Sequence, residues 1–256
     1  MLLGGVCKMK YSKAPISEVI MGISYRNAKI PVDVILKNAL FSEEFPTTEI
    51  IAPLVLETLH GFQIQPLFAQ NAGPFLVRRR TKDSKWLLQI QNNMIYLNWI
   101  RLDTESVGTY VGFSTIKKKF LSLLSTIETI VPVHLRDDIE LCDLTYHDRV
   151  KWQSEIADLS QIGQIMNIST PPKFSEHGYN NIFSRYTFHD SELNGFGFIN
   201  INTDTAIDGE QLIKLESNLR GAVVDSDMDA WFERAHVKQN NIFEQIFKEE
   251  IKAKWR

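Results

Sequence analysis

Between Trp86 and Arg101 the chain alternates with period two. Trp86, Leu88 and Ile90, then Ile95, Leu97 and Trp99, share one side, and Leu87, Gln89, Gln91, Met94, Tyr96 and Asn98 share the other. That alternation predicts two strands joined at Asn92-Asn93, residues that tolerate the positive φ of a tight turn. Folding there opposes Ile90 to Ile95, Leu88 to Leu97 and Trp86 to Trp99, which leaves a wholly apolar face in need of a cover. The period then changes. Ile116, Phe120, Leu123, Leu124, Ile127, Ile130 and Val131 recur at three-and-four spacing, which predicts an amphipathic helix, opened by Ser114, laid on that face.

The rest of the chain follows the same grammar. Glu18 to Ile23 predicts a first strand with Pro15 as its entry marker, and Pro31 opens a helix carrying Val34, Ile35, Ala39 and Leu40. Phe45-Pro46 and Pro53 break the next region, where Ile50, Ile51, Leu54, Val55 and Leu59 fit either a short helix or a buried extended piece. Phe62 to Phe68 and Phe75 to Arg80 read as strands around an Asn71-Ala72-Gly73-Pro74 turn. Past Val131-Pro132, Ile139 to Tyr146 has strand composition and extends the same sheet. Ile156, Leu159, Ile162, Ile165 and Met166 are spaced for a short helical connection, and Ser169-Thr170-Pro171-Pro172 is the clearest breaker.

Beyond it, Asn194-Gly195 signals a two-residue hairpin that sets Tyr186 and Phe188 on the face of Ile199 and Ile201. Gln211 to Val224 supplies a further strand. Asp225-Ser226-Asp227 caps the longest helix, whose buried stripe is Trp231, Phe232, Ala235, Ile242, Phe243, Ile246, Phe247 and Ile251. The expected fold is α+β, in two halves, each an antiparallel sheet closed by a long amphipathic helix. The first half spans 11–154 with its central hairpin at 86–101, a connection spans 155–172, and the second half spans 173–256.

Composition sets bounds on this picture. A chain of 256 residues, 44% hydrophobic and 23% charged, can bury a sizeable core. No apolar run reaches the roughly 18 residues of a membrane span, and Met1 to Val6 lacks the pattern of a secretory signal, so a cytoplasmic protein without a membrane partner is expected. Cys7 and Cys142 form neither a disulfide framework nor a metal-ligand spacing and read as free thiols.

The formal charge of −3 hides an asymmetry. Residues 1–130 carry fifteen Lys and Arg against ten Asp and Glu, whereas residues 131–256 carry thirteen against twenty-one. Arg78, Arg79, Arg80, Lys82 and Lys85 precede the hairpin, and Lys117, Lys118 and Lys119 lie on the exposed side of the helix. With that helix packed on the hairpin, these groups could share one rim, a candidate binding surface for an acidic protein partner or a phosphate backbone. Solvated faces of a hairpin and a helix are the plainer reading.

The chemistry-bearing motifs are few. The sequence has no phosphate-binding glycine loop, dinucleotide fingerprint, nucleophile elbow or helical pair of zinc-ligating histidines, and no cofactor is expected. His147-Asp148 and His189-Asp190 are the nearest approach to a metal-dependent phosphohydrolase, and both fall in strands rather than on helices. His236, with Glu233 and Asn240 within a turn, borders the apolar stripe and suits a hydrogen-bonded ring at the seam between helix and sheet. Glu18, in an otherwise apolar strand, fits a carboxylate paired with an arginine, a strand-edge charge or a ligand contact.

Four stretches together resemble a sporadically distributed, uncharacterised family of bacterial proteins of about this length: Ala14-Pro15-Ile16-Ser17-Glu18-Val19, the hairpin ending in Asn98-Trp99, Cys142-Asp143-Leu144-Thr145-Tyr146, and Ala235-His236 followed by Phe243-Glu244. The chain departs from the pattern at His147, where asparagine is usual, and at Phe247, where an aliphatic residue is. The resemblance implies a bacterial origin and a shared fold, and no reaction. Its patchy distribution associates it with mobile phage-defence and toxin-antitoxin cassettes. The expected function is therefore a non-enzymatic binding protein, the immunity, sensor or adaptor component of such a module, acting by protein-protein recognition. One alternative is a nucleic-acid-binding protein that uses the basic rim with Tyr96 or Trp99 for stacking, against which a pI near 6.1 counts. A second is a nucleotide or phosphoester hydrolase using the histidines.

Overall fold

A computed structural model describes residues 11–54, 56–60, 63–67, 75–102, 107, 109–131, 136–169, 181–206, 208–223 and 227–256. Met1 to Val6, Cys7, Val55, Phe62, Phe68, the Asn71–Pro74 turn, Pro132, Thr170 to Pro172, Val224, Asp225 and Ser226 lie outside them. The elements are β1 (Ile16–Tyr25), α1 (Val32–Lys37), α2 (Ala39–Glu44), β2 (Thr47–Ile51), β3 (Leu56–His60), β4 (Gln63–Leu67), β5 (Leu76–Arg80), β6 (Trp86–Gln91) and β7 (Met94–Ile100). They continue with α3 (Phe113–Ile130), β8 (Ile139–Lys151), β9 (Phe183–Asp190), β10 (Gly195–Thr205), β11 (Gln211–Ala222), α4 (Met228–Ile246) and α5 (Glu249–Ala253).

The expectation of two sheets, each closed by its own helix, is overturned. One antiparallel sheet of nine strands runs in the order β2-β5-β6-β7-β1-β8-β11-β10-β9, and β3 and β4 pair apart from it. Its centre is β1, which pairs with β7 on one edge and with β8 on the other. Alternation in sequence reports which face a residue lies on, and the hydrogen-bonding edges that joined the halves leave no such trace. On either side of the β1/β8 pair the order repeats: β7, β6 and β5 outward from β1, and β11, β10 and β9 outward from β8.

Both long helices lie on the same face. Ile116, Phe120, Leu124 and Ile127 of α3 and Trp231, Phe232 and Ala235 of α4 join Val19, Met21, Ile23, Leu97, Leu144 and Leu219 of the strands in one core. The helices touch where Phe120 meets Phe232 edge to face, 5.7 Å between ring centres. A second core gathers Trp152, Ile156, Ile162, Ile201, Ile213 and Ile251 at the outer end of β8, β10 and β11, around a 3-10 turn at Leu159–Gln164.

The β6/β7 register opposes Ile90 to Ile95, Leu88 to Leu97 and Trp86 to Trp99. Neither Asn92 nor Asn93 adopts a positive φ. Their carbonyls are held instead by the Ile30 and Tyr25 amides, at 2.6 and 2.8 Å. Helix α3 starts after Gly112 at φ 87°, without a side-chain cap from Ser114. The β9/β10 turn is longer than two residues, Ser191 to Asn194, with Leu193 buried beneath it and Asn194 at φ 48°. Ile50 and Ile51 lie on the edge strand β2 rather than in a buried segment, and Ile50 is exposed. The terminal helix is capped by Asp227 but stops at Ile246, because Phe247 turns extended to bridge Met166, and Ile251 falls on the separate α5. Among the described residues no helix is long and apolar enough to cross a membrane.

Candidate binding cleft on the polar face

The strands that bury alternate residues under α3 and α4 turn their other residues to the opposite face, and the sheet pairing sets these in ranks. Asn98, Ile20, Thr145, Asn218 and Phe198 stand side by side on β7, β1, β8, β11 and β10. Tyr96, Gly22, Asp143 and Arg220 form the next rank, and Ile100, Glu18, His147, Glu216 and Asn200 the one on the other side. A cleft of about 600 Å³ lies over these ranks, reaching Arg78 and Arg80 of β5.

Hydrogen bonds tie its floor together. Arg78 Nε donates to Gln89 Oε1 at 2.9 Å, Gln89 Nε2 to Asn98 Oδ1 at 3.0 Å, and Asn98 Nδ2 to Glu18 Oε1 at 2.6 Å. On the other side of β1, Asn218 Nδ2 donates to Asp143 Oδ1 at 2.7 Å and to Thr145 Oγ1 at 2.6 Å. Arg220 Nε donates to Asp143 Oδ2 at 2.6 Å, forming an ion pair in which both side chains are buried. Burial opposes the Arg220 charge, yet Asp143 beside it holds its pKa above the usual value. Burial likewise pushes the Tyr96 phenol well up, with Asp143 adding to the shift.

The two sides of the floor correspond. Ile20 faces Thr145 across the β1/β8 pair, Glu18 and Asp143 each lie two residues before them, and Asn98 and Asn218 are their partners on the next strands outward. Each asparagine donates to the carboxylate of its own side. Opposite the carboxylates, however, Ile100 stands on one side and Arg220 on the other.

Backbone groups of the chain itself are held in and beside the cleft. The Gln91 side-chain amide accepts from Leu54 N–H at 2.8 Å and donates to Leu54 C=O at 3.1 Å. Arg220 Nη1 donates to the Glu57 carbonyl at 2.6 Å. The Glu57 carboxylate pairs with Arg185, whose guanidinium lies over Phe198, 4.4 Å from the ring centre. The β3/β4 hairpin is thereby fastened over the polar face.

The eight cations singled out in the sequence do not form one rim. Arg78 and Arg80 line the cleft, Arg80 with Glu49 3.9 Å away. Arg79 points to the opposite face, buried, with Nη2 on Ser42 Oγ at 3.2 Å and with Nε and Nη1 unpartnered among the described residues; burial lowers its pKa. Lys82 and Lys85 sit in the β5/β6 turn. Lys117 is paired with Asp229 and Glu233 of α4. Lys119 pairs with Glu44 and lies over Trp86, 5.2 Å from the ring centre, and Lys118 is exposed beside a hollow of about 480 Å³ between α2 and α3.

Both His-Asp pairs are split by strand alternation. His147 lies on the polar face, while Asp148 is buried on the other with its pKa pushed up to about 7 by burial, against the pull of Arg101. Asp190 pairs with Lys238 at 2.8 Å. His236 accepts or donates through Nδ1 to Tyr146 Oη at 3.0 Å and stacks on Phe113, 4.0 Å between ring centres. Burial lowers its pKa to about 4. Among the described residues no three His, Cys, Asp or Glu side chains are grouped to hold a metal ion. Sequence reasoning missed Gln89, Asn98, Asp143, Asn218 and Arg220 as a set. The available signal was their polarity at strand positions whose neighbours in the alternation are core residues.

Comparison with known proteins returned no matching family, no matching curated protein and no matching solved structure.

Proposed function

We propose that the protein is a non-enzymatic recognition module that holds an extended polypeptide segment of a protein partner on the polar face of its sheet. The observation that carries this reading is how side chains in and beside the cleft hold backbone groups of the chain itself. Gln91 reads both backbone groups of Leu54, and Arg220 reads the carbonyl of Glu57. Side chains that pair with peptide groups hold an extended strand with little regard for its sequence, and the remaining polar residues supply selectivity. An immunity, sensor or adaptor role in a bacterial defence or toxin-antitoxin module accords with such a seat.

A nucleic-acid ligand fits less well. Glu18, Asp143 and Glu216 line the same cleft as Arg78, Arg80 and Arg220, so the arginines present no uncompensated basic track to a phosphate backbone. The reading is tested by selecting a displayed library of random 12-residue peptides on the wild type and on an Arg78→Gln/Gln89→Leu variant. The expected result is a set of peptides that compete with one another and bind the variant at least tenfold more weakly. Selection of nothing, or of peptides that bind both proteins equally, contradicts it.

A further inference from the structure

We infer that the outer edge of β9 is a self-association surface, on which β9 of a second copy of the chain pairs antiparallel so that the two sheets run together as one. The inference is independent of the peptide reading of the cleft.

The first observation is the contrast between the two ends of the sheet. An edge strand presents a row of unpaired N–H and C=O groups, and an edge that stays single is kept short, flanked by proline or charged. The β2 edge is blunted in these ways, with five residues between Pro46 and Pro53 and with Glu49 at its centre beside the exposed Ile50. The β9 edge is not. It has eight residues, neither proline nor lysine, and an unbroken register with β10. It also carries Phe183, 70% exposed, and Tyr186, 42% exposed. Among the described residues no strand pairs with its outer side.

The second observation is the phase of the hydrogen bonds, which fixes how a copy can pair. Thr203 N–H donates to the carbonyl of Ile182, its partner when the β9/β10 register is extended, at 3.2 Å. Opposed residues that bond to each other alternate with pairs that do not. Ser184, Tyr186, Phe188 and Asp190 therefore turn their backbone groups to β10, and Phe183, Arg185, Thr187 and His189 turn theirs outward. In an antiparallel pair of β9 strands the outward residues must meet one another. Centred on Tyr186, that register sets Phe183 of each strand opposite His189 of the other, Arg185 opposite Thr187 and Ser184 opposite Phe188, with Tyr186 against its own copy. No like charges are opposed, and both exposed aromatics gain a ring across the strand. The same centring of β2 would set Glu49 against Glu49.

The test is sedimentation equilibrium of the whole protein at up to about 100 μM, a range suited to the small area that one pair of edge strands buries. A dimer is expected. Tyr186→Lys and Tyr186→Glu each set like charges across the two-fold axis and should weaken the dimer at least tenfold, and an equimolar mixture of the two should restore it as a mixed pair. Thr187→Pro removes an outward N–H and spares every β9/β10 bond, so it too should weaken the dimer, with far-ultraviolet circular dichroism unchanged. The Tyr186 pair decides by itself where Thr187→Pro alters the fold. A wild type that stays monomeric overturns the inference. So does a dimer that the Tyr186 variants leave intact, or a mixture of them that stays monomeric.

Discussion

Gly22 is a glycine because Tyr96, its partner on β7, lays its ring across the position a β-carbon would occupy. Gly22→Ala must therefore push the ring out of place, and a loss of about 1–3 kcal/mol in urea unfolding is expected, as for other overpacked sites. At the Asp143–Arg220 pair, Arg220→Met strands a buried carboxylate and should cost about 3–5 kcal/mol, while Asp143→Leu/Arg220→Met should recover part of that loss in the same assay. Asp148 makes a different kind of prediction. Its carboxyl titrates near 7 in the folded protein and near 3.8 in the unfolded chain, so between these values the folded state binds the extra proton. Its contribution therefore falls as pH rises through that window. Asp148→Asn should gain on the wild type between pH 4 and pH 8, by up to about 4 kcal/mol, in unfolding measured at both. His236, lowered to about 4, acts in the opposite sense, adding stability as pH rises from 4 to about 6.5.

Among the elements, α3 and the β6/β7 hairpin were the most legible, for a physical reason: each has one apolar face, and periodicity reports faces directly. Leu124→Ala should cost about 2–5 kcal/mol in denaturant melts, since that residue is 2% exposed in the main core. What periodicity does not report is how an element begins, ends or joins its neighbours. Gly112 rather than Ser114 precedes α3, and Phe247 leaves the last helix to bridge Met166, although its apolar character fits the helical stripe. The Asn194-Gly195 signal marked a real hairpin with the wrong turn. Leu193 is drawn into the core, its carbonyl accepts from the Trp231 indole at 3.1 Å, and four residues are needed where two were expected.

At the scale of the molecule, the pairing of β8 with β11 merges the two expected halves into one sheet and creates the cleft, since its floor draws on strands from both sides of that pair. This is why the candidate site was the least legible part. Arg78 and Arg80 were visible as a charge run, but Glu18, Asp143 and Arg220 lie far apart in sequence and meet only across hydrogen-bonded edges. The basic run also misled, because residues adjacent in sequence on a strand face opposite ways: Arg79 went into the interior while its neighbours reached the cleft. Lys117 and Lys119, on the helix face, are held by acidic partners in the chain itself. The central claim is that recognition occurs on the polar face of this sheet. It is tested most directly by attaching a nitroxide to a library-selected peptide and reading which resonances of the protein it broadens. Broadening at Asn98, Thr145 and Asn218, with α3 and α4 unaffected, is the predicted result. Broadening centred on Lys117 to Lys119, with the cleft residues sharp, would contradict it.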